Sequence, residues 1–119
     1  MNVQQMLSHC QAPIDLAFGD LKLKSNILFL LLGRIFKKKI LAAPMFKKNS
    51  MTEPSFVRTG DYDFEKTKAE LLSKVRRFAS EGTASIKIEK HPFFGKMTYE
   101  EWDNLHWKHL NHHLKQFGV

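Results

Sequence analysis

Residues 98–118, TYEEWDNLHWKHLNHHLKQFG, constrain the fold more than any other stretch of the chain. Thr98 followed by Glu101 is a capping box, in which hydroxyl and carboxylate satisfy the orphan N–H groups of a first helical turn. Gly118 is a natural stop. At about 100° per residue, Trp102, Leu105, His106, His109, His113, Gln116 and Phe117 fall on one face. Asn104, Lys108, Asn111, His112 and Lys115 fall on the other. The segment is therefore an amphipathic helix with His109 and His113 near the centre of its apolar stripe. Stacked one turn apart, two imidazoles can reach one metal ion. The spacing is short and common, so the plainer alternative is two helix-face histidines satisfied by backbone or water. Their place on the apolar stripe favours a bound ion, because burying unpartnered imidazoles is costly.

A helix of this kind must pack on others. Residues 2–18 form a second amphipathic helix, capped by Asn2, with a stripe of Val3, Met6, Leu7, Cys10, Ile14 and Ala17. Gln4, Ser8, Gln11 and Asp15 lie opposite, and His9 sits at the edge of the stripe. Pro13 withholds an N–H from the carbonyl of His9, which predicts either a kink or a helix that ends and restarts. Cys10 reads as a small core residue.

Ser25 opens SNILFLLLGRIFKKKIL, whose first half is apolar all round and is expected to be buried against several neighbours. A helix lying on a membrane surface would show a similar pattern. Residues 42–60 are irregular. Asp63 caps a further helix that runs to Gly82, with Phe64, Leu71, Leu72, Val75 and Phe78 as its apolar face and a Glu70–Lys74 pair one turn apart. In the connection that follows, HPFFG at 91–95 offers His91 as a turn residue or a fourth ligand.

The chain of 119 residues is the size of one domain, taken here as residues 1–119. A single cysteine excludes an intrachain disulfide and fits a reducing cytoplasm. The N-terminal MNVQQMLSHCQ has no secretory pattern, and the longest apolar run, Ile27 to Leu32, is too short to span a bilayer. The net charge of +7 is spread over small groups such as Lys37-Lys38-Lys39, Lys47-Lys48 and Arg76-Arg77. With no zinc-finger spacing, RNA-binding aromatic signature or phosphate loop beside them, no specific nucleic acid is expected as a partner.

The segment His109-Leu-Asn-His112-His113-Leu-Lys-Gln116 resembles the H-x-x-H-H-x-x-Q signature in the last helix of DinB-like (YfiT-like) metal-binding four-helix bundles. MNVQQMLSHCQ resembles their second bundle helix, which carries the first histidine. The run from His91 to Val119 is similar to a bacterial branch of that superfamily with no assigned function. The resemblance implies an all-α, up-down-down-up bundle, here lacking its first helix. It implies a metal triad of His9, His109 and His113, with His112 turned outward and Gln116 orienting a ligand or holding the helix. The ion would be divalent: zinc, nickel or iron. The implied activity is a metal-dependent thiol S-transferase or hydrolase, with a small thiol or electrophile as substrate. The competing expectation is a non-enzymatic binding or stress-associated scaffold whose metal is structural or vestigial. No carboxylate shares the histidine face of either ligand helix, so no general base is apparent. A bundle without its first helix should also leave an apolar groove of roughly several hundred Å². Val3, Met6 and Leu7 with Leu110 or Leu114 would line it, to be covered by residues 25–41, by an upstream helix or by a second copy in a homodimer.

Overall fold

The computed structural model describes residues 1–25, 27–47 and 53–119, with the side chains of Phe29 and Leu30 excepted. Part of the irregular stretch, residues 48–52, thus lies outside the described residues. The chain is an all-α helical bundle of α1 (Val3–Phe18), α2 (Ile27–Ala42), α3 (Phe64–Glu81) and α4 (Tyr99–Gln116), with short 3₁₀ turns at Pro54–Phe56 and Gly82–Ser85.

The helix starts follow local chemistry. Asn2 caps α1 through the Gln5 N–H, and the Gln5 side chain returns the bond to the Asn2 N–H, which makes this end a capping box as well. Asp63 caps α3 through the Lys66 N–H, and Thr98 and Glu101 form the reciprocal box on α4. Gly19 ends α1 at φ 78, a left-handed conformation that favours glycine. α1 runs unbroken through Pro13.

α1 is the central element. Met6, Leu7, Cys10, Ile14, Leu16, Ala17 and Phe18 pack with Leu71 and Phe78 of α3 and Trp102 of α4. Its polar side is covered rather than bathed in water. Gln11 is buried and donates to the Thr67 carbonyl, while Lys74 of α3 donates to Gln11 Oε1 at 2.7 Å and pairs with Asp15 at 2.8 Å. Lys74 therefore bridges to α1 instead of pairing with Glu70, because Asp15 and Gln11 together offer it two acceptors. The Arg77 guanidinium lies 4.2 Å from the centre of the Phe18 ring.

α2 departs from expectation. Gly33 and, among its described side chains, Lys37 and Ile40 face the rest of the bundle. Gly33 is buried so close to the HPFFG turn that a Cβ there would fall 2.1 Å from the Phe93 carbonyl oxygen. Lys37 donates to the Lys96 carbonyl and pairs with Glu101 at 3.0 Å. Lys108 of α4, expected on a watery face, is buried, and its Nζ donates to the carbonyls of Ile40 and Leu41 at the last turn of α2. The apolar residues Ile27, Leu31, Leu32, Ile35 and Phe36 point outward instead. Of the residues expected to line a groove beside α1, Met6 and Leu7 are in the core and Val3 and Leu110 pack against it, while Leu114 is exposed; among the described residues the densest run of exposed apolar side chains lies on α2.

Candidate metal centre

His9 comes from the middle of α1; His109 and His113 come from successive turns of α4. The packing of α1 against α4 brings their three Nε2 atoms together. His9 Nε2 lies 3.0 Å from His109 Nε2 and 3.0 Å from His113 Nε2, and the last two are 3.2 Å apart. Two nitrogens that share one zinc ion at about 2.0–2.1 Å stand about 2.9–3.4 Å apart for angles between about 90° and 109°. The observed triangle has that size. His9, His109 and His113 are thus close enough to hold one metal ion.

The outer ring nitrogens fix the tautomers of two of the three. His9 Nδ1 donates to the Phe56 carbonyl at 2.9 Å, in the 3₁₀ turn 54–56. His113 Nδ1 donates to Gln116 Oε1 at 2.9 Å. A carbonyl only accepts, so each Nδ1 carries the proton and each Nε2 of the neutral ring presents a lone pair. Two lone pairs face each other at 3.0 Å. An acceptor that takes the Nδ1 proton is the usual means of aiming the opposite nitrogen of an imidazole at a metal. Burial lowers the pKa of all three rings. For His9 the burial effect is partly offset by the Phe56 hydrogen bond and reinforced by Arg58. His113 is brought down to about 4, and His109 lies well below the ordinary value, the neighbouring histidines adding to burial in both. Near neutral pH the cluster is uncharged and rich in lone pairs.

His112, expected to face outward, stays out of the triangle but is half-buried and lines the cleft beside it. It accepts from Gln116 Nε2 at 3.2 Å, so the same amide serves His113 with its oxygen and His112 with its nitrogen. His91 is a turn residue but a buried one. Its Nδ1 accepts from the N–H groups of Phe93 and Phe94 at 3.0 and 3.3 Å, and its ring stacks on Phe94. His106, one turn before His109, is buried with no hydrogen-bond partner for either ring nitrogen among the described residues. Cys10 is buried, with its thiol pushed up to about 12 by burial, and serves the core.

The triad forms one wall of a cleft of about 440 Å³. Phe46, Phe56, Phe93 and Leu105 supply apolar lining. Glu53 also lines it, with Oε1 accepting from the Ser55 N–H and hydroxyl. This carboxylate comes from the irregular stretch 42–60, so helical periodicity gave no signal for it. A Glu-Pro pair opening a short turn is the only local sign that the segment is ordered there.

No curated protein and no solved structure matches the chain significantly. A family profile does match, over residues 2–118, nearly the whole of the helical unit just described and all three histidines of its centre. On that match the chain belongs to the family described as protein of unknown function (DUF1569).

Proposed function

We propose that the chain is a divalent-metal-binding protein of DinB-like (YfiT-like) type, with His9, His109 and His113 as ligands. The observation that carries this reading is the pair of lone pairs held 3.0 Å apart on His9 and His113. Each ring is locked in its tautomer by an acceptor on the far side, so no proton sits between them. Such an arrangement is repulsive unless a cation, or an N–H on His109 Nε2, stands beside it, and a cation is the partner that all three nitrogens can share. Imidazole ligands suit zinc, nickel or iron. A bound divalent ion lowers the pKa of a thiol or water that joins it, giving a nucleophile near neutral pH. The cleft beside the triad supports an enzymatic role over a purely structural ion: it has room for a small substrate, apolar walls, and Glu53 to accept a proton. The activity we infer is a metal-dependent thiol S-transferase or hydrolase acting on a small thiol or electrophile.

Elemental analysis of purified protein, after exposure to zinc, nickel and iron in turn, tests the ligand set. About one tightly held ion per chain is expected in the wild type and in His112→Ala, and none in His9→Ala or His113→Ala. A wild type that retains no ion would overturn the proposal, and equal loss in His112→Ala and His113→Ala would overturn the ligand assignment. The enzymatic half is read separately, from the visible spectrum of the cobalt-substituted protein. A spectral change on adding 2-mercaptoethanol is expected, and its absence would argue for a closed, structural site.

A further inference from the structure

Among its described side chains, α2 turns most of its large apolar ones outward. Its docked side holds Gly33 and Lys37; its outer side holds Ile27, Leu31 and Ile35, exposed by 76%, 74% and 55%, flanked by the less exposed Leu32 and Phe36. Specific contacts hold α2 in this orientation. Gly33 fits under the Phe93 carbonyl, Lys37 reaches Lys96 and Glu101, and Lys108 ties down the last turn. A soluble surface seldom carries so continuous an apolar strip.

The charges around the strip say what it meets. Arg34, Lys38 and Lys39 are exposed on the same outward arc as Ile27, Leu31 and Ile35, and α2 contains no acidic residue. Beside it, Lys90 and Lys96 join Arg34 and Lys38 around a cleft of about 820 Å³ whose one lining carboxylate is Glu89. The whole chain carries +7. We propose that α2 is a membrane-surface helix that lies along an anionic lipid bilayer, with Ile27, Leu31 and Ile35 in the acyl boundary and the basic residues among the headgroups. An apolar face bordered by lysine and arginine is what such helices present. With 16 residues α2 is about 24 Å long and suited to lie on a bilayer, and no helix among the described residues is long and apolar enough to cross one. A second copy of the chain fits the strip less well. Paired in parallel, two α2 helices would bring Arg34, Lys38 and Lys39 together with no counter-charge from the helix itself; paired antiparallel, each would press Lys38 and Lys39 against the apolar first half of the other.

Co-sedimentation of the full chain with vesicles tests the assignment. The vesicles are phosphatidylcholine alone and phosphatidylcholine mixed equally with phosphatidylglycerol, each at low and high ionic strength. Strong binding to the anionic vesicles, weakened by salt and nearly absent on the neutral ones, is expected. Lys38→Ala and Lys39→Ala should each weaken it about fivefold. Leu31→Glu with Ile35→Glu should abolish it while helicity and melting temperature stay unchanged, since both side chains already face out. Failure of the wild type to bind the anionic vesicles overturns the proposal. So does binding that these α2 variants leave intact, or a dimer in sedimentation equilibrium that Leu31→Glu dissociates.

Discussion

Replacing His106 by leucine should stabilise this protein, although His106 sits one turn from the candidate metal centre. A neutral imidazole carries one N–H donor and one acceptor. Both ring nitrogens of His106 are buried without a partner among the described residues. An orphaned buried polar group costs about 1–3 kcal/mol. Against this stand the edge-on contact with Phe78 at 4.8 Å and the tilted one with Trp102 at 5.6 Å. An aromatic pair adds about 0.5–1.5 kcal/mol, and leucine, similar in volume, keeps most of the remaining packing. The net gain expected is about 1–3 kcal/mol. For a chain of 119 residues the unfolding entropy is about 0.25 kcal/mol/K, so each kcal/mol moves the melting temperature by about 4 °C. The predicted rise in His106→Leu is therefore about 4–12 °C. Acidity supplies an independent check. Burial, with His91 adding to it, holds the His106 pKa at about 3, against 6.5 in the unfolded chain. Below 6.5 the unfolded state takes up a proton that the native state refuses, so wild-type stability falls as the pH drops through this window. This one group contributes a slope of about 1.4 kcal/mol per pH unit. The leucine variant lacks that slope, so its advantage should widen as the pH is lowered from neutral towards about 5. Denaturant melts followed by far-UV circular dichroism at several pH values measure both effects. A variant less stable than wild type by more than about 1 kcal/mol, with an unaltered pH slope, would refute the reasoning and mean that the imidazole has a bound partner.

Two further outcomes follow from single contacts. Gln116→Leu removes the acceptor from His113 Nδ1 but touches no core, so in competition against a colorimetric chelator the affinity for zinc should drop about 10–100-fold with the melting temperature of the metal-free protein unchanged; unaltered affinity would dismiss the orienting role. Lys108→Met leaves the Ile40 and Leu41 carbonyls without their donor, at a cost of about 1–3 kcal/mol. The loss should be local, with hydrogen exchange faster across residues 27–42 and unchanged in α1; uniform acceleration would contradict it.

The parts legible in the sequence are those settled within a turn or two of chain. Asn2, Asp63 and Thr98 with Glu101 cap the helices as expected, because capping involves residues three apart. The shared side of His109 and His113 follows from helical period alone, whereas His112, expected to face outward, lines the same cleft. What escaped was the choice between distant partners. Periodicity marks Lys108 as polar, but only the close approach of α2 provides the carbonyls that bury it. An all-apolar run reads as core, yet Gly33 and Lys37 make the docking contacts while Ile27, Leu31 and Ile35 face outward. Glu53 enters the cleft from a segment with no period. Lys74 finds Asp15 and Gln11 across a helix interface that no local rule describes.

The triad also has a place in time. His9 and His109 meet across 100 residues, and His9 and His113 across 104. At about 5–20 residues per second, His9 is synthesised some 5–20 seconds before its partners exist. Throughout that interval α1, which is central in the finished fold, lacks the helix that later covers it through Trp102 and closes the cluster. A nascent chain of this protein can therefore make only its α1–α3 half early, and cannot assemble the histidine cluster until α4 is complete. Assembly of the cluster would then report that translation has passed α4: a chain terminated before α4 keeps His9 but can never acquire the site.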